Sequence, residues 1–240
     1  KQGVDVIFAL PGEENIDLIE SIRTSSIQLV VTRHESAAGY MAATFGRLTG
    51  KLGVCLTTLG PGASNATTAT AYAYLGGMPM LIITGQKPLT NNTQGYFQKL
   101  EIPEMFAPIT KFSRTIDGTD NLISDLENAV QQALSEKKGP VHIELPEDIA
   151  QSEMASQNYQ RINPTGLHSP AAQITLAKQK IMEAKKPLVI FGLRANQPEV
   201  CQAAREFIDH CQIYCVTTQM GKGVVDESGP FYLGNAALSE

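Results

Sequence analysis

Glu35 stands at the edge of a long acid-free stretch. From Ser36 to Leu100 there is no Asp or Glu, and the only Lys and Arg are Arg47, Lys51, Lys87 and Lys99, in a chain that has 24 acidic residues among 240. A carboxylate at the mouth of an apolar sheet, with no acidic neighbour from the next two strand–helix units, tends to have a raised pKa or a specific partner. Either marks it as a candidate functional group. The plainer alternative is a first-turn acid that favours the positive end of a helix. The second candidate is Gly60-Pro61-Gly62-Ala63-Ser64-Asn65, between an apolar run and a helical pattern. Its match to the dinucleotide pattern G-x-G-x-x-[GA] is superficial. The last position is Asn65, Pro61 stiffens the turn, and no acid follows about 20 residues on to bind a ribose. Glycines there let backbone and Asn65 approach a heterocycle closely; a tight turn with a capping Asn is the alternative.

The other reactive residue types point to packing. Cys201, His210, Cys211 and Cys215 lie close in sequence but contain no C-x-x-C pair, so burial is favoured over zinc. Cys55 falls mid-strand. His142 alternates with Val141 and Ile143 and reads as a hydrogen-bonded core histidine. The role of His34 is left open. No G-x-S-x-G elbow is present, so a hydrolase triad has no support. Lys87 and Lys111 are the cations near strand ends, and a solvated or structural role is expected for each.

These candidates are positioned by strands alternating with helices. Apolar runs at 4–10, 27–32, 52–58, 79–85, 109–116 and 140–146 are rich in Val, Ile and Leu without strict alternation, as strands covered on both faces read. Helical patterns lie between them: one capped by Asn15 and running to about Arg23, then 35–49 closed by Gly50, 63–75 closed by Gly76-Gly77, and one capped by Thr119. The expected fold class is α/β, a parallel sheet flanked by helices. Ligands then bind beyond the carboxyl ends of the strands. Pro11-Gly12, Arg33-His34-Glu35, Leu59–Asn65 and the polar loop from Gln86 to Gln98 should converge there. Residues 1–150 form this first domain. Residues 151–169 are polar, run into NPTGLHSP (163–170) and read as a linker. Residues 170–240 start a second α/β domain that is incomplete, with strands at 187–192 and 212–218.

Composition narrows the classes. A net charge of −5 with 42% hydrophobic and 18% charged residues excludes a disordered chain and gives no polyanion-binding surface, so no nucleic-acid partner is expected. No apolar run approaches the ~20 residues that cross a bilayer. Four unpatterned cysteines suit a reducing compartment, and a cytoplasmic location is expected. The first residue is Lys1, and the chain reads as a piece of a longer one.

Several motifs in order carry a resemblance. Pro-Gly after the first strand, Arg33-His34-Glu35, Gly46-Arg47-Leu48-Thr49-Gly50-Lys51, Gly60 to Asn65, a strand ending Thr84-Gly85, and Phe106 to Lys111 resemble the pyrimidine-binding domain of thiamine-diphosphate-dependent enzymes. The pattern is most similar to acetolactate synthase large subunits, and residues 170–240 resemble the first half of that family's central domain. The resemblance implies that Glu35 hydrogen-bonds N1′ of the cofactor's aminopyrimidine, so that the 4′-amino group can serve as a base. It assigns Glu35 and Gln98 to catalysis, and Pro11, Gly12, Glu35, Gly60, Pro61, Gly62 and Asn65 to cofactor binding. An acid usually follows the Phe-Gln pair; here Lys99 does. The implied reaction decarboxylates pyruvate and joins it to a second 2-keto acid, in branched-chain amino acid or acetoin metabolism. Another thiamine-dependent 2-keto acid decarboxylase, an oxalyl-CoA-type lyase and a non-catalytic binding domain are the alternatives. The family holds the diphosphate through Mg²⁺ on a Gly-Asp-Gly motif in a third domain. No such motif occurs here, so no metal ligand is named and this piece alone is expected to be inactive. The family's shared active sites imply a homo-oligomer, a dimer or tetramer. Gly192-Leu193-Arg194-Ala195-Asn196-Gln197-Pro198-Glu199 is similar to the pattern of catabolic members without flavin, so FAD is expected to be absent.

Overall fold

A computed structural model describes residues 2–90, 95–154, 161–162 and 169–236. The chain divides into two compact units, Lys1–Gly166 and Leu167–Glu240. In the first, all six expected runs form strands: β1 (Val6–Ala9), β2 (Gln28–Val31), β3 (Gly53–Thr57), β4 (Met80–Gln86), β5 (Ser113–Thr115) and β6 (Pro140–Pro146). They make one sheet in the order β2-β1-β3-β4-β6-β5, and every pairing is parallel. From β1 the chain moves to one side for β2, then returns across β1 to build the rest. The order therefore reverses between β1 and β3, and the loops leaving these strands diverge to open a crevice at their carboxyl ends.

Among the described residues, seven helices accompany this sheet: α1 (Ile16–Arg23), α2 (Glu35–Thr49), α3 (Gly60–Asn65), α4 (Thr67–Leu75), α5 (Ile102–Phe106), α6 (Thr119–Leu134) and α7 (Glu147–Ala150). Ile7, Ala9, Val54, Leu56, Leu81, Val141 and Ile143 point to one face and form a core with Ile22 of α1 and Ala129, Val130 and Ala133 of α6. Their alternates Phe8, Cys55, Met80, Ile82 and His142 are buried as well, so both faces of the sheet are covered. Each large apolar side chain buried this way contributes about 1.5–3 kcal/mol. On α2, Ala38, Ala42 and Ala43 are fully buried, and small residues let the helix lie close to the sheet. Gly50 ends it in the left-handed conformation, φ +69°. His142 is stacked on Phe106 at 4.5 Å and hydrogen-bonded to Thr84 Oγ1 (2.9 Å) and Ser113 Oγ (2.8 Å). Burial pushes its pKa down to about 3, so it is a neutral core group.

Three local expectations are corrected. The helix expected over 63–75 starts at Gly60 and breaks at Ala66, so the glycine segment is the first turn of α3. Proline is tolerated there because first-turn N–H groups have no helical partner anyway. Thr119 is inside α6, with Gly118 at the cap position, whereas Asn15 stands at the cap position of α1 as expected, its side chain turned back to Gly12 N. The strand expected over 109–116 shrinks to β5, because Ala107–Ile109 continue α5 as a 3-10 turn.

The second unit contains α8 (Ala171–Glu183), β7 (Leu188–Phe191), α9 (Pro198–Cys211), β8 (Tyr214–Thr217) and β9 (Tyr232–Asn235). Its sheet is parallel in the order β7-β8-β9, one strand more than the two expected. Ala204 and Ile208 of α9 pack on Cys215, Val224 and Val225. Most of the expected linker lies outside the described residues. Among the described residues, no helix is long and apolar enough to cross a membrane.

Candidate active site

After β2 the chain bends into His34, itself in an extended conformation, whose Nδ1 accepts the Ser36 N–H at 3.1 Å and caps α2. That places Glu35 in the first turn of α2, only 8% exposed. Asn65, the last residue of α3, donates Nδ2–H to Glu35 Oε2 at 2.9 Å, while Ser36 Oγ donates to the Asn65 carbonyl. Two hydrogen bonds thus tie the start of α2 to the end of α3. The other oxygen, Oε1, faces Gly62: a Cβ built there would be 3.4 Å from it. The buried Cys55 thiol is pushed up to about 12, first by burial and then by the charge of Glu35, and stays protonated.

The glycines on either side of the crevice are held by one threonine. A Cβ at Gly12 would stand 2.5 Å from Thr58 Cβ, and one at Gly62 would stand 2.7 Å from Thr58 Cγ2. Thr58 Oγ1 donates to Glu14 Oε2 at 2.5 Å, and Lys87 Nζ donates to Glu14 Oε1 at 2.9 Å. Burial alone would raise the Glu14 pKa; the hydrogen bonds from Thr58 and Lys87 outweigh it and hold the carboxyl below its usual range. Asn15 Oδ1 accepts the Gly12 N–H at 3.1 Å, and its buried Nδ2 has no hydrogen-bond partner among the described residues.

The segment after β4 closes the arrangement. Asp148 accepts hydrogen bonds from Leu89 N, Thr90 N and Thr90 Oγ1. Gln86 Nε2 donates to Leu100 O (3.2 Å) and to Glu144 Oε1 (2.9 Å), and Thr115 donates to Glu144 Oε2 (2.6 Å). Burial pushes the Glu144 pKa up, despite the hydrogen bonds from Thr115 and Gln86. The Gln98 backbone lies against the start of α3. Gly60, at φ +46°, would place a Cβ 2.1 Å from the Gln98 carbonyl oxygen. Tyr96 and Phe97 are 89% and 71% exposed.

The structure therefore brings Glu35, Gly62 and Asn65 together directly, Gly12 through Thr58, and Gly60 against the Gln98 backbone. Gln98 itself is exposed, and Pro11 and Pro61 are exposed at the rim. Lys87 is a structural ion-pair partner. Lys111 caps α6 by donating to the carbonyls of Gln132, Ser135 and Lys137. Sequence reasoning missed Glu14, Thr58, Gln86 and Glu144. For Glu14 and Lys87 a signal existed: opposite charges in the segments that follow two strands of one parallel sheet.

The comparisons divide along the same two units. The family described as thiamine pyrophosphate enzyme, N-terminal TPP binding domain, matches residues 1–105. The one described as thiamine pyrophosphate enzyme, central domain, matches residues 174–240. The chain belongs to the thiamine pyrophosphate enzyme family. It is 35% identical to the acetolactate synthase of Arthrospira platensis, over 98% of this chain and 42% of that protein. It is 32% identical to the probable acetolactate synthase large subunit of Methanocaldococcus jannaschii, over 99% and 41%. With the catabolic acetolactate synthase of Raoultella terrigena the identity is 33%, over 84% and 36%. The chain spans about two fifths of the length of the first two relatives.

The residues present fit the pyrimidine end of thiamine diphosphate. A buried carboxylate has one oxygen held by Asn65 and the other turned to a glycine, and Asn15 Nδ2, without a partner among the described residues, lies at the Gly12 turn. For the diphosphate end, no three His, Cys, Asp or Glu side chains gather among the described residues.

Proposed function

We propose that this thiamine pyrophosphate enzyme is an acetolactate-synthase-like carboligase, which decarboxylates pyruvate and joins it to a second 2-keto acid. The observation that carries the reading is the buried Glu35 carboxylate, fixed through Oε2 by Asn65 and directed through Oε1 to the Gly62 side of the crevice. When bound, thiamine diphosphate supplies the carbon nucleophile that adds to the keto group and the electron sink for loss of CO₂. Glu35 holds and shares a proton at a pyrimidine nitrogen. Asn65 keeps the carboxylate from rotating away. Gly12, Gly60 and Gly62, with Pro11 and Pro61 at the rim, leave room for a flat ring. Gln98 borders the substrate end. Mg²⁺ is held by residues outside this chain. The full protein works as a homo-oligomer with active sites shared between subunits, in the cytoplasm and without FAD.

A second reading, a simple 2-keto acid decarboxylase, is favoured by Lys99, a cation where the acetolactate synthase pattern has an acid. Full-length protein supplied with pyruvate, thiamine diphosphate and Mg²⁺ separates the two. Acetolactate formed with one CO₂ per product supports the carboligase. Free acetaldehyde as the sole product supports the decarboxylase, and no consumption of pyruvate contradicts both.

A further inference from the structure

The Glu14–Lys87 pair is not in contact with Glu35, yet it is close to fully buried, with side-chain exposures of 7% and 13%. A buried ion pair adds little net stability over apolar packing, and a role in fixing geometry is its best-attested use. This pair joins the turn after β1 to the end of β4, across the point where the strand order reverses. Thr58, at the end of β3, lies in the middle of that span. Its hydroxyl is engaged by Glu14 at 2.5 Å. That bond selects one rotamer, because a β-branched side chain has few to choose from. In this rotamer Cγ2 stands 2.9 Å from where a Gly12 Cβ would be and 2.7 Å from where a Gly62 Cβ would be. The two glycine backbones are therefore one threonine side chain apart, and Gly62 is the residue that faces Glu35 Oε1.

We propose that Thr58, locked by the Glu14–Lys87 pair, is a positioning residue that sets the separation of the Gly12 and Gly62 backbones and so the placement of Glu35 against an aminopyrimidine ring. The inference rests on the cofactor reading above. It makes Glu14 and Lys87 positioning residues acting through Thr58, and it gives the methyl and the hydroxyl of Thr58 separate duties as spacer and lock. Three variants divide these duties. T58V keeps the shape and loses the lock. T58S keeps the lock and removes the methyl that a Gly62 Cβ would strike. E14Q keeps an acceptor for Thr58 and removes the charge that Lys87 pairs with.

The test uses the full-length protein and begins with calorimetric titration of the wild type with thiamine diphosphate and Mg²⁺. No binding there would overturn the cofactor reading, and the proposal with it, before any variant is made. With binding established, T58V should bind thiamine diphosphate about tenfold more weakly. Its kcat should fall by about 10- to 100-fold, the scale of a misplacement near 1 Å, with KM for pyruvate little changed. G62A should bind poorly, and T58S/G62A should recover about fivefold or more of that loss, because the two sites are coupled. E14Q should follow T58V with a smaller effect, and it carries the test together with the Gly62 pair if T58V does not fold. Wild-type affinity and kcat in folded T58V or E14Q, or strictly additive losses in T58S/G62A, would overturn the positioning role while leaving the cofactor reading intact.

Discussion

Replacing Gly60 with Ala tests whether the segment after β4 is seated on α3. The native φ of +46° is one that a side chain pays about 1–2 kcal/mol to adopt. The new Cβ would stand 2.1 Å from the Gln98 carbonyl oxygen, about 0.9 Å short of the 3.0 Å that real Cβ contacts respect. Gln98 cannot relax freely, because it is itself a non-glycine residue at φ +59°. Forcing atoms into a packed contact costs about 1–3 kcal/mol. Together the terms give roughly 2–5 kcal/mol, or about 4–20 °C in melting temperature for a domain of this size. If the segment retreats instead, the chain near Gln98 moves by nearly 1 Å, and turnover should fall by about 100-fold. Thermal melts and steady-state rates of the full-length variant read both effects. An Ala variant with wild-type melting and turnover would show that Gly60 and Gln98 do not meet as described.

Residues 1–240 alone should produce neither acetolactate nor CO₂ from pyruvate at any cofactor concentration, and detectable product from the purified piece would contradict the account. Purified full-length protein should show no stoichiometric absorbance band of oxidised flavin, and such a band would overturn the expectation drawn from Gly192 to Glu199. His142 predicts acid sensitivity: its folded pKa of about 3 lies below that of an unfolded histidine near 6.5, so the unfolded chain takes up the proton first. Stability from this group is complete above pH 6.5 and is lost as pH falls toward 3, by up to about 1.4 kcal/mol per pH unit. Melts of the wild type and H142Q between pH 7 and 5 should differ in slope; equal slopes would refute the buried neutral histidine.

The sheet was legible because its strands are covered on both faces, so runs such as Val54-Cys55-Leu56 and Leu81-Ile82-Ile83 had to be apolar throughout. Glu35 was legible because the chain beyond it has no other acid for 65 residues, and the start of α2 at that residue follows from His34, which caps it. The division of α3 from α4 was not legible: Ala and Thr run evenly across the break at Ala66. β9 escaped because Tyr232–Asn235 is four residues long, contains Gly234 and follows the polar stretch Asp226–Pro230. Thr58 could not be recognised from sequence, since its role depends on Gly12 and Glu14, more than 40 positions away.

The account depends most on Glu35 as the proton-sharing carboxylate of the site. In the full-length protein Glu35→Gln is nearly isosteric and can still accept the Asn65 hydrogen bond, so folding should persist and cofactor affinity should fall only modestly. It cannot stabilise a proton on the ring nitrogen. Turnover with saturating thiamine diphosphate should therefore drop by about two to four orders of magnitude, with an almost unchanged melting temperature. Near-wild-type turnover, or a loss of activity fully explained by unfolding, would contradict it and leave Glu35 as a helix-start carboxylate worth about 0.3–1 kcal/mol.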